Sequence, residues 1–164
     1  MKQLTIFFFL LCASLKAQPV VELQPQGFLP LTFETPAKPF DKLLEASRSW
    51  AAFYNKKGYD VFDVTENSLS ISARKDYAYI DRNIGVTYDY NITYTLKAVF
   101  QKDHTYTLTF VVNEIYANEV LTKTTVADFF LPDGSVKRDF EEDKESLEKT
   151  AERIIKSYSN FIAR

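Results

Sequence analysis

From Val86 to Phe100 the chain reads VTYDYNITYTLKAVF. Val86, Tyr88, Tyr90, Ile92, Tyr94, Leu96, Ala98 and Phe100 fall on one face, and Thr87, Asp89, Asn91, Thr93, Thr95 and Lys97 on the other. An alternation of two held this long specifies a strand with one buried face, because a helix cannot gather such positions into a single stripe. The segment after Asp103 repeats it, with Tyr106, Leu108, Phe110 and Val112 inward. Parity then fixes the pairing. Inward positions are even in both strands, so a two-residue Lys102-Asp103 turn would set Phe100 against Thr105 and reverse every face. A three-residue loop, Lys102-Asp103-His104, pairs Phe100 with Tyr106 and Leu96 with Phe110; that loop, or one of five residues, is expected.

Other segments carry other periods. Residues 18–39 are punctuated by Pro19, Pro25, Pro30, Pro36 and Pro39. Within them Leu29, Leu31 and Phe33 alternate, and Pro30 confines this first strand to a sheet edge. Phe40, Leu43, Leu44, Ser47, Trp50, Ala51 and Tyr54 recur at helical steps behind a first-turn Pro39. Lys56 and Lys57 are read into the last turn, with Gly58 closing the helix. YDVFDVTENSLSISARK predicts a hairpin with Phe62 and Val64 inward beside Leu69, Ile71 and Ala73. Thr65 then meets Ser68 around a Glu66-Asn67 turn. Asp76–Gly85 reads as a longer connection or a flared hairpin. Residues 117–135 are the least regular, with a turn at LPDG. A last helix runs from about Phe140 to Ile162, with Asp139 and Glu142 spaced as a capping pair and Leu147, Ala151, Ile154, Ile155, Tyr158, Phe161 and Ile162 as its stripe. Strand, helix, four strands, helix implies an α+β, two-layer sandwich, an antiparallel sheet with both helices on one face.

Composition adds an address. MKQLTIFFFLLCASLKAQPV has the layout of a secretory leader: a basic start, an apolar run, and small Ala17 before Gln18. The run is about 12 residues, short of the roughly 20 a spanning helix needs. A retained anchor and lipidation at Cys12 are the alternatives, the latter opposed by bulky Leu11. The expected organisation is a signal peptide, 1–17, followed by a single α+β domain, 18–164, with its core at about 28–116 plus the last helix. Losing Lys2 and Lys16 makes the formal charge of −2 more negative, and Cys12 leaves with them. Such a chain carries no disulfide and no thiolate ligand set. Mild acidity without a basic cluster excludes nucleic acid as an expected partner.

The order β-α-β-β-β-β-α is the plan of the TATA-box-binding-protein-like (TBP-like) fold. With the helix SRSWAAFY, the hairpin after it and the long pair YNITYTLKAVFQKDHTYTLTFVVNEI, the chain resembles domain of unknown function 4468, an exported family found mostly in Bacteroidetes. The resemblance covers roughly residues 30–116, with the C-terminal helix as an extension of it. It implies a TBP-like fold and export, and it brings no activity and no functional residues. Sharing a fold with a DNA binder does not transfer DNA binding.

Candidate chemistry is sparse. His104 is the only histidine and belongs at a hairpin tip, which gives neither a zinc set nor a Ser-His pair its partners. No GxSxG, HExxH or P-loop occurs. Asp60/Asp63 and Asp76/Asp81 are carboxylate pairs that would need burial to act as acid and base. The acidic start of the last helix lacks a calcium loop, and Asn91-Ile92-Thr93 is a sequon placed mid-strand. No catalytic residue, cofactor or metal is expected. Two surfaces are candidates for partner binding: the hydroxyl-rich sheet face, represented by Thr93, Thr95 and Thr107, and the connection carrying Tyr77, Tyr79, Asp81 and Arg82. The expected function is a non-catalytic binding module of the cell envelope or periplasm, meeting an envelope protein or glycan. The alternatives are a carrier holding a small apolar ligand between sheet and last helix, lined by Tyr88, Tyr90, Tyr94, Tyr106 and Phe110, and, less favoured, a hydrolytic enzyme.

Overall fold

The computed structural model describes residues 20–83 and 86–164, and of Arg82, Asn83 and Val86 the backbone only. The expected leader, with Cys12, lies outside the described residues. A short hairpin, β1 (Leu23–Gln24) with β2 (Gly27–Phe28), precedes β3 (Leu31–Glu34), α1 (Phe40–Tyr54), β4 (Tyr59–Phe62), β5 (Ser68–Asn83), β6 (Val86–Phe100), β7 (Thr105–Ala117), β8 (Val120–Leu121) and α2 (Glu141–Ile162), with 3-10 turns at Val126–Phe129 and Arg138–Phe140. The sheet is antiparallel in the order β3-β7-β6-β5-β4, and β8 folds back on β7. The α+β class and the frame of strand, helix, four strands and helix are those the alternation implied; the β1–β2 hairpin and β8 are additions to it.

The long central pair keeps the expected register. Phe100 pairs with Tyr106 and Leu96 with Phe110. The loop is the three-residue one, with His104 in the left-handed region at φ 61 and the Gln101 N–H donating to the Thr105 carbonyl at 2.8 Å. Tyr94, Leu96, Tyr106, Leu108 and Phe110 are buried while Thr93, Thr95 and Thr107 remain half-exposed. β3 starts after Pro30 and occupies an edge, as its proline requires. Both helices pack on the apolar face. Leu43, Trp50 and Ala51 of α1 and Leu147, Ala151, Ile154, Ile155, Tyr158 and Ile162 of α2 belong to one buried cluster with the sheet.

Several buried polar groups of this core are paired by residues in or just beyond the helices. The Tyr94 hydroxyl donates to Asn55 Oδ1 at 2.8 Å. Tyr158 and Ser47 share a hydrogen bond of 2.9 Å, and Trp50 Nε1 donates to Ser157 Oγ at 3.1 Å.

Several local expectations are corrected. The Glu66-Asn67 turn forms, with the Thr65 N–H donating to the Ser68 carbonyl at 2.9 Å. Asp63, at φ 49, inserts an extra residue before it. The strand register therefore slips by one, Val61 faces the core opposite Ile71, and Val64 is exposed. Asn113 is a second inserted residue. Thr93 pairs with Glu114 but Tyr94 with Val112, so the inward parity of β7 changes and Ile115 is buried. Lys56 and Lys57 lie beyond the end of α1. Asp139 caps nothing: it sits in the 3-10 turn ahead of α2, which begins without a side-chain cap. The reciprocal capping box is formed instead by Thr125 and Asp128 in the irregular stretch.

Candidate functional site

The sheet departs most from regularity within DYAYIDRN. Lys75 pairs with Ile92 and Tyr79 with Tyr90, so β5 carries two extra residues across this step. Tyr77 absorbs the bulge in the left-handed region, φ 51, and its N–H donates to Asn91 Oδ1 at 2.9 Å. Because the insertion is even, the inward parity of β5 survives it, and Tyr79 and Asp81 return to the core face. α2 is tied to the same bulge: Thr150 Oγ1 donates to the Ala78 carbonyl at 2.7 Å, and Arg153 Nη2 donates to Thr150 Oγ1 at 2.8 Å. The middle of α2 is thus held to β5, and Asp143 of its first turn lies beside the far ends of β5 and β6.

Between them lies a cleft of about 430 Å³ lined by Tyr79, Asp81, Tyr90, Thr124, Asp139, Phe140 and Asp143. Its wall is aromatic. Tyr79 stacks on its cross-strand partner Tyr90 at 4.5 Å and 4°, meets Phe129 edge-on at 5.8 Å, and Phe129 stacks on Phe140 at 4.8 Å. Burial of this kind fixes the ring orientations without directing the hydroxyls.

The polar groups of the cleft are unusual in what they lack. Tyr79 is 1% exposed and Asp143 3%, yet neither side chain has a hydrogen-bond or ion-pair partner among the described residues. Among the described residues, no fully sealed side-chain polar atom is left without a partner. The Tyr79 hydroxyl and the Asp143 carboxyl therefore keep an opening, and both line this cleft. Burial, together with repulsion from Asp81 and Glu142, raises the Asp143 carboxyl to about 7. The start of a helix works the other way, but by about 0.3–1 kcal/mol, less than one pKa unit; desolvation wins. Burial, then the charges of Asp143 and Asp81, push the Tyr79 phenol up, and Tyr90 shifts in the same sense under burial, Asp81 and Asp143.

The sequence-derived candidates divide. Tyr79 and Asp81 come together in the cleft. Tyr77 points outward, 67% exposed, rather than prolonging the inward face. The Arg82 side chain is outside the described part. Thr93, Thr95 and Thr107 lie on the polar sheet face, where their hydroxyls are engaged: Thr93 donates to Glu114 at 3.0 Å, Thr95 exchanges with Asn113, and Thr107 accepts from Gln101 at 3.1 Å. That face also carries a locked network. Arg74 bonds Asp76 and Glu119, Lys57 bonds Asp76, and Asn91 Nδ2 donates to Glu119 Oε1 at 2.9 Å. Asn91, read as a sequon, is buried and committed to this network.

The tyrosines proposed to line a carrier cavity separate as well. Tyr94, Tyr106 and Phe110 are packed in the core, Tyr94 stacking on Phe110 at 5.1 Å; Tyr88 is exposed, and Tyr90 alone of the five reaches the cleft. A second hollow, about 590 Å³, lies at the other end of the sheet beside Phe40, Leu43, Phe100 and exposed His104. No buried polar side chain without a partner lines it.

Asp143, Asp139, Thr124 and Phe140 were not singled out from the sequence as parts of a site. A signal for Asp143 existed: it stands four residues before Leu147, on the apolar stripe of α2. Asp81 likewise occupies a core-parity position of β5. An acid in a core register is the legible mark of this cleft. Among the described residues no three His, Cys, Asp or Glu side chains converge as a metal set, and no helix is long and apolar enough to cross a membrane.

Two solved structures share the architecture. A DUF4468 family protein from Bacteroides ovatus superposes with a TM-score of 0.61 over 83% of this chain and 85% of its own, at 7% identity. A TBP-like protein from Parabacteroides distasonis superposes with a TM-score of 0.57 over 82% of this chain and 90% of its own, at 11% identity. At these identities the likeness is one of fold, and it agrees with the family resemblance carried by the central strands and the Trp50 helix. No family model matches the chain, and no curated protein does.

Proposed function

We propose that this chain is an exported, non-catalytic binding domain of the cell envelope or periplasm, and that its ligand site is the acidic, tyrosine-lined cleft beside the first turn of α2. One observation carries the choice of site: two nearly buried polar groups, the Tyr79 hydroxyl and the Asp143 carboxyl, line the same cleft with no partner among the described residues. Buried polar groups are ordinarily paired, and a group left open to a cavity is a group kept for a ligand. The leader-like start supports export, and the lack of a catalytic signature in the sequence supports binding over turnover. The partner is a protein or glycan of the envelope, or a smaller piece of one.

The reading is tested by mapping a chemically mixed set of small probes onto the folded domain by amide chemical shifts. Saturable shifts centred on Tyr79, Asp81, Tyr90 and Asp143 are expected. Probes that gather only at the hollow beside His104 would sink the assignment.

A second reading draws on the same pair. A carboxyl held at about 7 beside another carboxylate is an arrangement that general acid catalysts use. Turnover of aryl glycosides or aryl esters that vanishes in Asp143→Asn would establish hydrolysis in place of simple binding.

A further inference from the structure

We propose that the cleft receives an organic cation, an alkylammonium or guanidinium group, seated between Asp81 and Asp143 against the ring wall that Tyr79, Tyr90 and Phe140 provide. The inference rests on the reading of this cleft as the ligand site, and it names what enters it.

The lining is rich in acceptors and short of donors. Three aspartates and a threonine contribute oxygens, the phenols can accept as well as donate, and none of the lining residues is basic. A ligand with several N–H donors complements such a set, whereas an anion would meet only repulsion. The Asp143 carboxyl is 3% exposed and unpaired. A buried carboxyl without a partner is costly in its charged form, and an incoming cation removes that cost. The aromatic wall suits the same guest, because ring faces attract ammonium and guanidinium groups. Phe140 already has one such neighbour: Lys137 Nζ sits 5.9 Å from its centroid. That ammonium is engaged by the Asp128 carbonyl at 2.7 Å. A divalent metal fits less well, since the carboxylates do not converge as a ligand set.

The groups that face Asp143 are Asp81 and Tyr79 from β5, Tyr90 and beyond it Tyr88 from β6, Asp139 from the 3-10 turn, and Glu142 from its own helix, with the Lys137 ammonium behind Phe140. All but the last are acidic or neutral. A bound cation therefore drives Asp143 to release its proton, and affinity rises with pH across the range around 7.

The test uses the mature chain with n-butylammonium and n-butylguanidinium, followed by calorimetry and amide shifts at pH 5.5 and 8. Butyrate, n-butanol and butyl glucoside serve as controls. Saturable binding by the two cations is expected, tighter at pH 8, with shifts at Tyr79, Asp81, Tyr90 and Asp143. Asp81→Asn and Asp143→Asn, which keep shape and remove charge, should each weaken it about tenfold or more. Glu145→Gln, on an exposed residue paired with Lys149, should leave it unchanged. Cadaverine and a short lysine-containing peptide separate the sources. Tighter binding of the first supports a free amine and of the second a partner's side chain, and each supports the cation. Absence of cation binding, or equal binding by butyrate or butanol, overturns the inference. If butyl glucoside or butyrate shifts the four cleft residues while the cations do not, the cation falls and the cleft stands. If no probe reaches those residues, both fall.

Discussion

At the scale of single residues, burial has been used in two opposite ways. Tyr94 is buried and satisfied: its hydroxyl donates to Asn55 Oδ1, and Asn55 Nδ2 donates to the Ala51 carbonyl at 3.1 Å, closing α1. Asn55→Ala leaves that hydroxyl orphaned and should cost about 1–3 kcal/mol in urea unfolding. Adding Tyr94→Phe should recover part of the loss, and a double variant worse than the sum would refute the pairing. Asp143 is nearly buried and opens on the cleft without a partner among the described residues. Its folded-state value lies near 7 against an ordinary 3.8, so the folded chain holds a proton that the unfolded chain has released. The proton-linked stability is present at low pH and lost as pH rises from about 4 through 7. Asp143→Asn escapes that loss. Its stability relative to the parent should rise between pH 5 and pH 8 by about 1–2 kcal/mol, less than full burial would give because the carboxyl opens on the cleft. An unchanged difference between the two pH values would mean that Asp143 titrates as an ordinary surface acid.

At the scale of elements, the inserted residues decide what faces what. The β6–β7 loop is three residues long because both strands bury even positions. Deleting Asp103 would leave Lys102-His104 as a two-residue turn between the same partners, Gln101 with Thr105 and Phe100 with Tyr106, and keep every face. The variant is expected to retain cooperative unfolding and near-ultraviolet circular dichroism; loss of both would mean that the shorter turn cannot close and the strands slip in register. The β5 bulge is more instructive. It carries two extra residues, so Tyr79 and Asp81 stay on the core side while Tyr77 is expelled. Thr150→Val removes the hydroxyl that ties α2 to the bulge through the Ala78 carbonyl. It should cost about 1–3 kcal/mol and should raise amide exchange at Tyr77–Tyr79 more than at Leu108. Uniform exchange across both strands would show that the tether does not hold the cleft.

At the scale of the whole molecule, the sheet's apolar face is closed by two helices, and neither is dispensable. α2 supplies Leu147, Ala151, Ile154, Ile155, Tyr158 and Ile162 to the buried cluster, and its Tyr158 packs edge-on against Trp50 of α1 at 5.1 Å. A chain ending at residue 135 should therefore not fold cooperatively. Trp50 is the only tryptophan and is 1% exposed, so its fluorescence reports directly: blue-shifted in the full domain and red-shifted in the truncated one. A truncated chain with native-like emission would make α2 an accessory.

The frame of strand, helix, four strands and helix, the inward faces of the central strands as far as Val112 and the three-residue hairpin were legible in the sequence alone, because alternation and loop parity are local constraints. The same holds for both apolar helix stripes. Only the tertiary structure decided the single-residue slips at Asp63 and Asn113. A left-handed residue inside a strand leaves no periodic trace, and its cost is met by contacts from other elements. The cleft belongs with these. Tyr79 and Asp81 were legible as candidates, but Asp143 lies 62 residues further along the chain, and its environment is set by strands it meets only after folding. An acid on an apolar stripe is visible to a reader of sequence; that three acids and two stacked rings share one opening is a property of packing.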